Sequence, residues 1–94
     1  MITAMLLINA ELSEVANVTK ALAEVPEVTE LYTTAGEYDI VAKIMVKDLD
    51  LLADVVTGRI AEVEGIIGTS TLLAIRCHSE SAMGHMFGVG IEEE

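Results

Sequence analysis

Two short stretches of the chain combine side chains that could recognise a small zwitterion. Gly36-Glu37-Tyr38-Asp39 reads as a turn that delivers a carboxylate to the start of a strand. Thr69-Ser70-Thr71 sets hydroxyls at alternate positions, so that Thr69 and Thr71 share one strand face. A carboxylate pairs with an ammonium group, and hydroxyls with free backbone N–H groups bind a carboxylate. Together they suit an α-amino acid. The same residues serve a plainer purpose nearly as well, since Asp orders turns and Thr is a common strand residue. Spacing alone leaves both readings open.

Cys77, His78, Met83, His85 and Met86 carry metal-ligating atoms in no recognised ligand spacing, and Cys77 and His78, adjacent at a strand end, point to opposite faces. No metal and no other cofactor is expected, the methionines packing and the histidines lying on the surface. An enzyme on this scaffold would draw on His78, His85, Asp39 and Tyr38. No acid–base or nucleophile–base pair among them has a recognisable spacing, and the only aromatics are Tyr32, Tyr38 and Phe87. No catalytic role is expected.

The elements that would position these residues follow from periodicity. Ile2 to Asn9 is a short apolar run suited to a strand. From Ser13, a candidate N-cap, Val15, Val18, Leu22 and Val25 recur at helical spacing, and Pro26 stops the helix. Val28 to Thr34 is a second strand, and Tyr38 to Val46, beyond the Gly36 turn, a third. Asp48 can cap a second helix with Leu52, Val56, Ile60 and Val63 inward; Gly65 ends it, and Ile66 to Arg76 is a fourth strand. A weak repeat, Leu22 to Val28 against Ile60 to Ile66, supports two β-α-β halves. The expected fold is α+β and ferredoxin-like, β-α-β-β-α-β, a four-stranded antiparallel sheet with two helices on one face.

A one-faced sheet should be polar on its other side, and these strands are not. Ile2, Ala4, Leu6 and Ile8 alternate with Met5 and Leu7; Ile40, Ala42, Ile44 and Val46 with Val41 and Met45; Leu73 and Ile75 with Ile66, Leu72 and Ala74. Two helices cover one face, so a second sheet is expected on the other, in a sheet-to-sheet homodimer. Residues 78–94 form a tail spaced by Gly84, Gly88 and Gly90, with Met86 to Ile91 apolar enough to dock and Glu92 to Glu94 solvated.

Composition narrows the function. Ninety-four residues make one domain, and 16 acidic residues against 5 Lys and Arg give a net charge of −11. That balance argues against direct nucleic-acid contact and against anionic membranes. No apolar run approaches the ~18–20 residues that span a bilayer, and Met1 to Ala10 lacks a basic leader. A lone Cys77 fits a reducing compartment, so a cytoplasmic protein is expected.

The run Val28 to Val41, a spaced helix, and Gly65-Ile66-Ile67-Gly68-Thr69-Ser70-Thr71-Leu72-Leu73 resemble the effector-binding (RAM) domain of the Lrp/AsnC, leucine-responsive or feast/famine, transcription regulators. The resemblance covers residues 1–77, and the chain starts directly at the first strand, which makes a stand-alone effector domain without a helix-turn-helix the expectation. It implies dimers that assemble into octamers or similar rings, an amino acid or similar small zwitterion between subunits, and full-length Lrp/AsnC regulators as further partners. Carried over, Gly36, Glu37, Tyr38 and Asp39 line the pocket with the Asp39 carboxylate toward the effector ammonium. Thr69 and Thr71 match the family's Thr-x-Thr, and Leu73 and Ala74 shape the effector's side-chain environment. A pure oligomerisation partner, and a small α+β barrel enzyme such as a monooxygenase or isomerase, are the alternatives.

Overall fold

The computed structural model describes residues 1–78. Along the chain run β1 (Ile2–Ala10), α1 (Val15–Ala23), β2 (Val28–Thr33), β3 (Ile40–Val46), α2 (Leu49–Asp54) and β4 (Ile66–Leu73). The sheet order is β2-β3-β1-β4 with every neighbouring pair antiparallel, the ferredoxin-like arrangement expected. The expectations for the tail, including Met83, His85 and docking of Met86 to Ile91, lie outside the described residues.

Strand alternation builds the core. Ala4, Leu6, Ile8 and Ala10 of β1 and Ile40, Ala42, Ile44 and Val46 of β3 are buried under the helices. They meet Val18, Leu22 and Val25 from the first crossover and Leu52, Val55 and Ile60 from the second. Residues between them, Met5 and Leu7 on β1 and Val41 and Met45 on β3, are half-buried on the opposite face, which nothing among the described residues covers.

Two bulges change which residues share a face. Between Asn9 and Ala10 the β1–β4 register shifts, so Ile66 pairs with Ala10 and Gly68 with Asn9, leaving Ile67 as the extra residue, 65% exposed. Ile66 thereby packs against the core and not beside Leu72, where plain alternation would set it. In β2, Val28 pairs with Ile44 and Glu30 with Lys43, with Thr29 the extra residue. Leu31 turns to the core as a result, and Glu30 and Tyr32 to the open face. β4 also ends at Leu73, short of Arg76, because its partner strand runs out: Ala74 N–H donates to the Thr3 carbonyl at 2.9 Å, one residue from the start of β1.

The helices begin and end differently from their sequence patterns. Ser13 is not an N-cap; it lies in a 3-10 turn, Leu12–Glu14, closed by Glu14 N–H donating to the Glu11 carbonyl at 2.8 Å, and α1 starts after it. Asp48 does cap α2, its Oδ1 accepting from Leu51 N–H at 2.8 Å. Past Asp54 the helix widens into a π turn, Val55–Arg59, then tightens into a 3-10 turn, Ile60–Glu62. The π turn adds one residue to the turn, so the fully buried positions are Val55 and Ile60, five apart, with Val56 only partly buried.

Gly65 closes this unit against α1. Its φ is +100°, and a Cβ there would stand 2.6 Å from Glu14 Cβ and 3.1 Å from Val18 Cγ2. Its carbonyl accepts from Glu11 N–H at 2.8 Å. Gly65→Ala is expected to cost about 2–4 kcal/mol, strained φ and overpacking together. Gly36→Ala, at φ +152° with no atom within 4 Å, meets only the backbone strain and is expected to cost about 1–2 kcal/mol. Urea denaturation of the two variants beside the unaltered chain checks the ranking.

Candidate functional site

The loop between β2 and β3 is closed on itself before it touches anything else. Thr34 N–H donates to the Asp39 carbonyl at 2.9 Å, and the Thr34 hydroxyl to the Tyr38 carbonyl at 2.7 Å. With its carbonyl so engaged, Tyr38 stays outside β3, which starts at Ile40 and not at Tyr38. Gly36 supplies the positive φ at the loop's crest. Glu37 is exposed, Tyr38 and Asp39 half-buried.

Asp39 then ties this loop to the end of β1. Its N–H donates to the Ile8 carbonyl at 2.9 Å, and its Oδ2 accepts from Ala10 N–H at 3.0 Å. Ala10 sits at the β1 bulge, so the carboxylate satisfies an N–H beside the register shift. The ordering role open to Asp39 from the sequence is thus occupied, across strands and not within its own turn.

On the other side of β1, Thr69 pairs with Ile8, Thr71 with Leu6 and Leu73 with Ala4. These three lie on the helix side of the sheet, yet all are exposed, while Ile8, Leu6 and Ala4 are fully buried. Asp39 and Thr69 both flank Ile8, two strand spacings or about 10 Å apart. Leu73 is four residues further along β4, about 13 Å from Thr69, with Ala74 beyond it. One chain therefore gathers Gly36, Glu37, Tyr38, Asp39 and Thr69 at one end of the sheet. Leu73 and Ala74 stand at the other end, with Thr71 between.

The structure also holds a polar cluster that the sequence reading passed over. On the open face, Lys43 Nζ lies 3.4 Å from Glu30 Oε2, and the Tyr32 hydroxyl donates to Glu30 Oε1 at 2.5 Å. The hydrogen bond to Glu30, and then that carboxylate's charge, raise the Tyr32 hydroxyl above its ordinary pKa. The missed signal is the β2 bulge, which no local pattern at Val28 to Glu30 announces. Cys77 and His78 lie past the end of β4, exposed and outside any strand. Among the described residues no three His, Cys, Asp or Glu side chains gather as a metal site. No helix among them is long and apolar enough to cross a membrane.

A family model described as the Lrp/AsnC ligand binding domain matches residues 3–83. The HTH-type transcriptional regulator FL11 of Pyrococcus furiosus is 32% identical over 80 residues, covering 85% of this chain and 52% of FL11. The chain spans about half the length of such curated relatives, which are transcription regulators and not enzymes. Among solved structures, TTHA0845 from Thermus thermophilus superposes with a TM-score of 0.81 at 44% identity, over 84% of this chain and 99% of that one. Escherichia coli AsnC superposes at 0.79 with 26% identity, over 83% of this chain and 53% of its own.

The Asp39 hydrogen bond is separable from its charge. Asp39→Ala strands the Ala10 N–H and is expected to cost about 1–3 kcal/mol, whereas Asp39→Asn keeps an acceptor and most of that stability. Urea melts of the two variants, with amide exchange followed at Ala10, test the assignment.

Proposed function

Because the chain belongs to the Lrp/AsnC ligand-binding-domain family, we propose that it is a regulatory module that binds an amino acid or similar small zwitterion between subunits of a homo-oligomer. The unit of assembly is a sheet-to-sheet dimer, and dimers close into an octamer or similar ring. The protein acts in the cytoplasm through full-length regulators of its family and not by gripping DNA, for which 5 Lys and Arg against 16 acidic residues are poorly suited.

The observation that carries the reading is the family match over residues 3–83, which takes in both candidate stretches. The geometry supports it in two ways. Gly36 to Asp39 and Thr69 stand on either side of Ile8, about 10 Å apart and farther than the two charged groups of one α-amino acid reach, so an ammonium group near the Asp39 carboxylate of one subunit and a carboxylate near the Thr69 and Thr71 hydroxyls of its neighbour suit a ligand bound between subunits. Leu73 and Ala74, about 13 Å away on the same chain, reach such a ligand from a neighbouring subunit. The open face with Met5, Leu7, Val41, Met45 and the 54% exposed Leu72 is the surface for a second sheet.

One observation favours a module that takes no ligand and serves only to assemble with full-length regulators: the Asp39 carboxylate already accepts the Ala10 N–H. A carboxylate has lone pairs for more than one donor, so the two roles are compatible, and titration separates them.

Calorimetric titration of the 94-residue chain with each of the twenty amino acids is expected to give heat with at least one and none with Asp39→Asn, which keeps most of the stability. No heat with any of them leaves the assembly role alone. Leu7→Glu, on the open face and away from the core, is expected to weaken the dimer at least about 100-fold in sedimentation equilibrium, since a partner sheet would bury the added charge. A wild-type chain that sediments as a monomer sinks the sheet-to-sheet reading.

A further inference from the structure

The open face of the sheet can be read in cross-strand rows. Tyr32, Val41, Leu7 and Ser70 form one row, and Glu30, Lys43, Met5 and Leu72 the next. An ammonium group therefore stands on an inner strand, between Met5 on one side and Glu30 on the other. Sheets that pack face to face lie ~10 Å apart, and whatever covers the face covers its inner strands. An unpaired Lys43 would be desolvated there with no compensation.

We propose that Glu30 neutralises Lys43 within its own chain and so makes the open sheet face fit to be buried against a second copy of this chain. The inference rests on the sheet-to-sheet reading above and adds the residues that permit it. Both Glu30 oxygens are engaged inside the chain, Oε2 toward Lys43 Nζ and Oε1 accepting from Tyr32. The fold also places Glu30 there by a specific device. Thr29 is the bulge residue, and its hydroxyl donates to the Lys43 carbonyl at 3.2 Å. Were Thr29 paired in regular alternation, Glu30 would turn to the helix side and Leu31 outward.

The same neutralisation selects the occupant. With Lys43 and Glu30 cancelled, the face rows carry no net charge, although the chain as a whole carries −11. Two copies meeting here avoid the repulsion that any other pair of acidic surfaces would bring, and a strongly charged partner finds nothing to pair with. Lys43 and Glu30 side chains are still 30% and 46% exposed in one chain, so the remaining desolvation belongs to association.

Sedimentation equilibrium on the full chain tests this with Glu30→Gln, Lys43→Met and the double variant. Glu30→Gln, which leaves an unpaired ammonium, is expected to raise the dimer dissociation constant about 30-fold or more. The double variant, with nothing left to neutralise, is expected to return to within about threefold of wild type or to bind more tightly. Far-UV circular dichroism and urea midpoints control for folding, and the uncharged double variant keeps the test decisive if Glu30→Gln folds poorly. A wild-type dimer weakened by Leu7→Glu but indifferent to Glu30→Gln overturns this inference alone. So does a double variant as weak as Glu30→Gln. A dimer indifferent to Leu7→Glu overturns the sheet-to-sheet reading as well.

Discussion

Two helices can shield only one side of a four-stranded sheet, and β1 and β3 carry apolar side chains on both. Ala4, Leu6, Ile8, Ile40, Ala42 and Ile44 are fully buried under α1 and α2, while Met5, Leu7, Val41 and Met45 remain half-buried on the far side. Fully burying one Leu or Ile is worth about 1.5–3 kcal/mol, so the covered side stabilises the monomer, while the same kind of energy on the uncovered side is left ungained by the single chain. The rest of the molecule is arranged around that asymmetry. Charge is kept at helix surfaces, loops and strand edges, and the one cation on the inner strands has its counter-ion beside it.

The element order, the all-antiparallel sheet and the inward residues of β1, β3 and α1 were legible because each depends on local periodicity. Helix boundaries and strand faces were less so. Whether Ile66 faces the core depends on how β4 pairs with β1, some 56 residues earlier in the chain, and whether Glu30 faces out depends on a residue inserted between paired positions of β2 and β3. Val56 fits a regular helix better than Val55 does, but a π turn sets the phase. Periodicity assumes an even count, and these segments are uneven.

The candidate site shows the same division. The turn chemistry of Gly36 and the shared face of Thr69 and Thr71 were readable, since both are properties of a few adjacent residues. The partner of the Asp39 carboxylate was not, because Ala10 lies 29 residues away and reaches it only through the sheet. That bond means that the loop is held to the strand dividing it from Thr69, so the sheet fixes where Asp39 stands relative to Thr69.

Thr29, Ile67 and the π turn over Val55 to Arg59 have a shared meaning for how this chain could have diverged. Each is a single supernumerary residue absorbed on the spot, with paired residues or helical turns on both sides. They are the positions where a one-codon gain or loss leaves the surrounding frame intact. A gapless comparison of this chain with any kin lacking one of them would slip by one residue, and would exchange inward for outward side chains until the next such point.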